Sequence, residues 1–239
     1  MFNWQSRDGV LDRVFTSRVG GHSEPPWSGL NLGGHVGDDP QAVAANRREL
    51  ADGLGLAADR IVWMDQCHGT DVAVVDAVPG QPPTVDALVT ASPDLALAVL
   101  VADCTPILLS DTEAGVIGAA HAGRPGMVGG IVPAVVGAMR DLGARDIRAA
   151  IGPSVCARCY EVPAEMRDAA ALVAPESHAV TWSGTPAIDV AAGVVAQLAG
   201  LGIAVEWVPG CTRETAELYS YRRDGQTGRT AGVIVRRSA

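Results

Sequence analysis

The stretch from Leu95 to Gly126 constrains the fold of this chain more than any other. An apolar run that starts at Leu95 ends at Asp103-Cys104. Beyond Ser110 and an acidic turn, a second apolar run starts at Gly115 and ends at His121. Each run is bounded by turn residues and is too short to span a bilayer, so each predicts a buried strand, with a tight hairpin in the middle of the chain. A thiol and an imidazole then stand at strand ends. There a rigid sheet holds the side chain and the adjoining loop leaves it accessible. The expectation is that Cys104 and His121 belong to one site, with a third member upstream.

Composition narrows the rest. A chain of 239 residues that is 48% hydrophobic has material for a sizeable core. No internal repeat, linker or low-complexity tract divides it, so one domain over residues 1–239 is expected. The net charge is −9 and no basic block occurs, which argues against a nucleic acid or an anionic membrane as partner. All 18 basic residues are Arg, which excludes lysine Schiff-base or lysine-nucleophile chemistry. Met1-Phe2-Asn3-Trp4-Gln5 has neither the basic nor the apolar part of a signal peptide, and a cytoplasmic location is expected. Five cysteines, an odd number in a chain of this length, do not suggest a disulfide framework.

Taken in order, the chain predicts a strand at Leu11–Thr16 and a long Gly/Pro/Asn/Asp loop over 22–40, which holds His22, His35, Asp38 and Asp39. Asp39-Pro40 opens a helix as N-cap and N1, and Gly53 and Gly55 close it. Strands follow at Ile61–Met64, Val72–Val75 and Val85–Thr90, the last enclosing a buried Asp86. Apolar residues at 127, 131, 135, 139 and 142 predict a helix from Met127 to Leu142, weakened by Gly129, Gly130 and Gly137. Further expectations are a strand at Ile147–Ile151, a helix from about Pro163, a polar loop over 175–186 and a helix at Val190–Leu201. A strand at Ala204–Val208, a short helix opening at Cys211-Thr212-Arg213-Glu214 and a last strand at Thr230–Val235 complete the series. This irregular alternation predicts a mixed α/β (α+β) protein, with mixed or stacked β-sheets flanked by helices.

His68, Cys104 and His121 each end or interrupt a strand beside small residues. Together they would make a His2Cys site of the kind that holds a catalytic zinc with one open position. Water there would have a pKa near about 7. The same atoms also fit a Cys104 nucleophile with His121 as base and Asp103 as its orienter, and residue order does not separate the two readings. Cys156-x-x-Cys159 is half of a redox or metal motif without a second pair, so structural or incidental cysteines are expected there. Arg18, Arg47, Arg222, Arg223 and Arg229 stand in loops or on helix flanks, where some would grip a phosphate.

A series of short motifs then resembles a known family. They are Ser17-Arg18-x-Gly-Gly, Asn31-Leu-Gly-Gly-His-Val-Gly-Asp-Asp39, Asn46-Arg47, Gln66-Cys-His-Gly69, Ala102-Asp-Cys104, Ala120-His-Ala-Gly123, Ile151-Gly-Pro-Ser154 and Tyr221-Arg-Arg-Asp-Gly with Thr227-Gly-Arg229. In this order, from about residue 12 to 236, the chain resembles the YfiH family, whose members are also called laccase-domain or polyphenol oxidase proteins and purine nucleoside phosphorylases. The resemblance implies a single-domain layered α/β sandwich, related in architecture to toxin deamidases. It implies zinc held by His68, Cys104 and His121, phosphorolysis of adenosine, inosine, guanosine and methylthioadenosine, and deamination of adenosine. Purine nucleosides and phosphate are then the expected partners, with Arg47 and Arg18 on the phosphate and Asp103 as orienter or proton carrier. The resemblance also carries copper-dependent phenol oxidation and peptidoglycan precursor editing, the latter as a cysteine hydrolase with Cys104 as nucleophile. One departure is plain: Gly123-Arg124-Pro125-Gly126 stands where the family usually has Gly-Trp-Arg-Gly, so this loop's contacts are expected to differ.

Overall fold

A computed structural model describes residues 1–238. Two mixed sheets lie face to face between helices. The first has the order β1 (Phe2–Asp8), β2 (Leu11–Thr16), β13 (Thr230–Arg236), β6 (Ala96–Val101), β3 (Ile61–Val62). The second has the order β12 (Ala204–Trp207), β9 (Arg148–Ile151), β7 (Thr105–Asp111), β8 (Val116–Ala122), β5 (Ala87–Thr90), β4 (Val72–Val74). A separate ribbon pairs β10 (His178–Val180) with β11 (Pro186–Ile188). Helix α1 (Pro40–Leu54) covers the first sheet, while α2 (Arg124–Gly129), α3 (Ile131–Asp141), α4 (Ala164–Val173) and α5 (Val190–Gly200) pack on the outer side of the second. A single turn, α6 (Tyr221–Asp224), lies in the approach to β13.

The apolar runs are continuous because their strands are buried on both faces. In β6, Ala96, Ala98 and Leu100 point to the α1 layer, whereas Leu97, Val99 and Val101 point between the sheets. In β7, Leu108 faces the first sheet while Ile107 and Leu109 face the helices. In β8, Ile117 and Ala119 turn inward and Val116, Ala120 and Ala122 outward. Burying each such Leu or Ile stabilises the fold by about 1.5–3 kcal/mol. The chain leaves the first sheet at the end of β6 and enters the second at Thr105. Asp103-Cys104 is therefore the crossover between layers, and the central hairpin is β7–β8 alone.

Several boundaries depart from the sequence expectations. The helix expected over 127–142 is two helices, because Gly130 adopts φ 99° and breaks it. Cys211–Glu214 is a set of turns, and the helical turn comes later, at Tyr221. β1 carries no apolar run; only Phe2 and Trp4 alternate with polar residues, a pattern too short for the sequence to have marked a strand. The polar loop over 175–186 contains β10. Asp39 caps α1 as expected, accepting from Gln41 N at 2.9 Å, and Gly55 closes the helix at φ 64°, whereas Gly53 lies inside it.

The long loop over 22–40 is tied to α1. Buried Asn46 donates to Ser23 Oγ and to the carbonyls of Gly29 and Asn31, and its Oδ1 accepts from His22 N. A loop without regular structure needs such side-chain partners for its backbone. Among the described residues, no helix is long and apolar enough to cross a membrane.

Candidate metal centre and cavity

His68, Cys104 and His121 arrive from three places in the second sheet's neighbourhood. His121 is the next-to-last residue of β8, Cys104 sits in the crossover before β7, and His68 is in the loop between β3 and β4. That loop is pinned by Gln66, whose side-chain amide donates to Leu100 O and accepts from Leu100 N, both at 2.8 Å. The Gln side chain thereby extends the pairing along β6 where β3 has ended.

The three side chains present ligand atoms within 4.8 Å of one another. Cys104 Sγ is 3.8 Å from His68 Nε2, and the two imidazoles meet edge-on with centroids 4.7 Å apart. A tetrahedral zinc with ordinary Zn–S and Zn–N bonds spaces such donors by about 3.5 Å, so the group fits a metal with little closing. Nδ1 of His121 is 2.8 Å from Asp86 Oδ1, which leaves Nε2 for a metal. All three line one cavity.

Asp86 holds the arrangement together, a role that the sequence reading did not assign to it. Fully buried, it accepts from His121, from the backbone N–H groups of Cys67, His68 and Gly69, and from the Cys67 thiol. Burial by itself would raise its pKa. The hydrogen bonds from His121, Gly69 and Cys67 outweigh burial and keep the carboxyl ionised, well below the usual range. One carboxylate thus fixes both the His121 ring and the loop carrying His68. The available signal was a lone Asp inside an apolar strand, since a buried carboxylate needs partners.

Burial also opposes charge on Cys104 and His121, yet each supplies the opposite charge to the other. The thiol is lowered and the imidazole raised, because each favours the charged form of the other. A metal would take the place of the imidazole proton. Backbone strain is concentrated here as well: His68 has φ 62° and Asp103 has φ 94°. Gly123 is required for space, because a Cβ there would lie 2.8 Å from His68 Cδ2 and 3.2 Å from Cys104 Sγ.

Of the remaining expected residues, Asp103, Arg222 and Arg229 line the cavity, whereas Arg18, Arg47 and Arg223 do not. Asp103 lines the cavity, but its carboxylate accepts from Thr212 Oγ1 and Arg222 N, both at 2.7 Å. It braces the wall, and the orienter of His121 is Asp86. Arg47 donates twice to Leu32 O and lies over Trp63 at 4.1 Å. Arg18 donates twice to Ser28 O and lies over Tyr219 at 4.6 Å. Neither lines the cavity. The guanidinium groups on its walls are Arg124, Arg222 and Arg229, joined by His35 from the long loop and by Tyr160 and Tyr221. The cavity measures about 630 Å³, within the range of small-molecule sites.

Comparison with known proteins places the chain in a family. Residues 12–237 match the family described as multi-copper polyphenol oxidoreductase laccase. A purine nucleoside phosphorylase of Streptomyces coelicolor is 58% identical over 92% of this chain and 93% of its own length. One of Deinococcus radiodurans is 46% identical over 94% and 89%. Among solved structures, YlmD from Geobacillus stearothermophilus superposes with a TM-score of 0.88 at 33% identity, covering 99% of both chains. Bacillus licheniformis YfiH superposes with 0.88 at 30%, covering 99% of this chain and all of its own. With nearly its whole length matched and this fold shared, the chain belongs to the laccase-like YfiH family.

Proposed function

We propose that this protein is a zinc-dependent purine nucleoside phosphorylase that also deaminates adenosine. The observation that carries the reading is the convergence of His68, Cys104 and His121 at a cavity walled by guanidinium groups and aromatic rings. Relatives at 46–58% identity that bear the name purine nucleoside phosphorylase support it. Zinc held by the three residues would supply a Lewis acid and, for deamination, an activated water. Tyr160 and Tyr221 offer faces for a purine base. Arg124, Arg222 and Arg229 supply the positive charge that phosphate needs. Attack of phosphate on C1′ passes through an oxocarbenium-like state, and the phosphate must be held beneath the sugar while the base leaves. Adenosine, inosine, guanosine and methylthioadenosine are the expected substrates.

The test is base release from inosine and adenosine with and without phosphate, and ammonia release from adenosine. The expected result is phosphate-dependent base release that a chelator abolishes and zinc restores. Absence of release with zinc present would contradict the reading.

A second reading rests on Cys104. Its lowered pKa beside His121 suits a nucleophile in an amide hydrolase acting on a cell-wall precursor. That reading requires Cys104 to react with iodoacetamide in metal-replete protein, whereas the zinc reading requires protection. A copper phenol oxidase is less well supported. Of the two potential ligand groups among the described residues, only one contains histidine, and it contains two, whereas a multicopper cluster needs several.

A further inference from the structure

In the sequence, Cys156-x-x-Cys159 is half of a metal motif with no second pair. The fold supplies the rest. Cys156, Cys159, Cys211 and Glu214 each bring one ligand atom into a group whose members lie within 4.8 Å of one another. None of the four lines the cavity of the first site. We propose that these four residues form a second metal site, suited to zinc or another borderline-soft divalent cation, that locks a loop of the cavity wall to the loop braced against it.

Three thiols and a carboxylate form a donor set of the tetrahedral structural kind, in which sulfur atoms stand about 3.8 Å apart. Local backbone structure explains how the four meet. Cys159 N and Tyr160 N both donate to Cys156 O, at 2.9 and 3.1 Å, which makes a tight turn between the first two thiols. An isolated parallel bridge joins Ser154 to Cys211 and brings the second loop alongside. Glu214 N and Thr215 N then donate to Cys211 O, at 3.1 and 2.9 Å, and this turn returns Glu214 to the group.

The surroundings also suit a metal–thiolate centre. The Cys156 amide donates to Cys211 Sγ at 3.4 Å, the kind of N–H···S contact that supports a ligating sulfur. Cys159 Sγ donates to Glu214 Oε1 at 3.4 Å, and this proton would leave on metal binding. Arg223 donates to the carbonyls of Thr212, Arg213, Thr215 and Leu218. It thereby holds the Cys211 loop and places a cation near a centre that would carry net negative charge.

The consequence reaches the first site. The two loops lack long helices or strands of their own. They carry Val155 and Tyr160 of the cavity wall, and also Thr212, whose hydroxyl braces Asp103. A cation bridging them would fix that wall without touching a substrate.

The experiment is a Co2+ titration of metal-free, reduced, full-length protein carrying Cys104→Ser, which removes the thiol of the first site. The expected result is thiolate-to-cobalt charge-transfer absorption that saturates at one equivalent, is displaced by Zn2+, and disappears when Cys159→Ser is added. No charge-transfer band, or a band that survives Cys159→Ser, overturns the proposal. If Cys104→Ser fails to fold, metal analysis in the otherwise wild-type chain decides. Cys211→Ser is then expected to lower bound metal by one equivalent while the first site stays loaded, and unchanged metal content overturns the proposal.

Discussion

At the scale of single residues, the site depends on two that bind nothing themselves. Asp86 sets the tautomer of His121 and holds the His68 loop through three backbone N–H groups. Asp86→Asn is expected to weaken metal binding by about 10–100-fold. Competition with a chromophoric chelator measures this, with circular dichroism to confirm folding, and unchanged affinity would show that His121 is oriented by something else. Gly123 has an ordinary φ of −76°, so an alanine there is strained only by its neighbours. Gly123→Ala is expected to lower metal occupancy while leaving the unfolding temperature of the metal-free protein nearly unchanged, since His68 is exposed to the cavity and can move away.

At the scale of elements, the β7–β8 hairpin and the connection from α3 to β9 meet at Asp111. Its buried carboxylate accepts from Ala114 N, Arg145 N and Asp146 N. Burial would raise its pKa, but these donors lower it overall. A depressed carboxyl contributes stability that is complete above its unfolded value of about 3.9 and is lost as pH falls through the folded value. Asp111→Asn is therefore expected to cost about 1.5–3 kcal/mol at neutral pH. Urea unfolding should show this difference shrinking below about pH 4, and a difference independent of pH would contradict the account.

The same scale shows what was legible in the sequence and what was not. β6, β7 and β8 could be read because strands covered on both faces leave no polar alternation. The meeting of His68, Cys104 and His121 could be anticipated because Cys104 and His121 end apolar runs and His68 follows a strand beside Gly69. The layer change at Asp103-Cys104 could not be read, since a continuous apolar run looks the same whether it pairs with its successor or crosses to another sheet. The bond from Asp86 to His121 spans 35 residues and leaves no local pattern. Arg47 and Arg18 stand in family motifs, but their guanidinium groups serve the backbone of the long loop. Of the cavity's own arginines, Arg222 and Arg229 were among the sequence candidates, but their choice over Arg18 and Arg47 is set by where α2, α6 and the start of β13 converge. Likewise, Cys211 and Glu214 complete the Cys156-x-x-Cys159 group only through a bridge between distant loops.

At the scale of the molecule, the two sheets bury a shared core, and the first site lies where the chain passes between them. A metal bound only to the folded state raises stability by mass action. Chelation is therefore expected to lower the unfolding temperature, with zinc restoring it, and a scanning calorimetry trace indifferent to chelator would argue against resident metal. The central claim is that His68, Cys104 and His121 hold zinc at the cavity. Anomalous diffraction from crystals of the purified protein, collected on either side of the zinc edge, tests it most directly. The account predicts a zinc-edge peak about 2.0–2.1 Å from one nitrogen each of His68 and His121 and about 2.3 Å from Cys104 Sγ. A peak that persists below the zinc edge and vanishes only below the copper edge, or no peak there with a free Cys104 thiol, would contradict it.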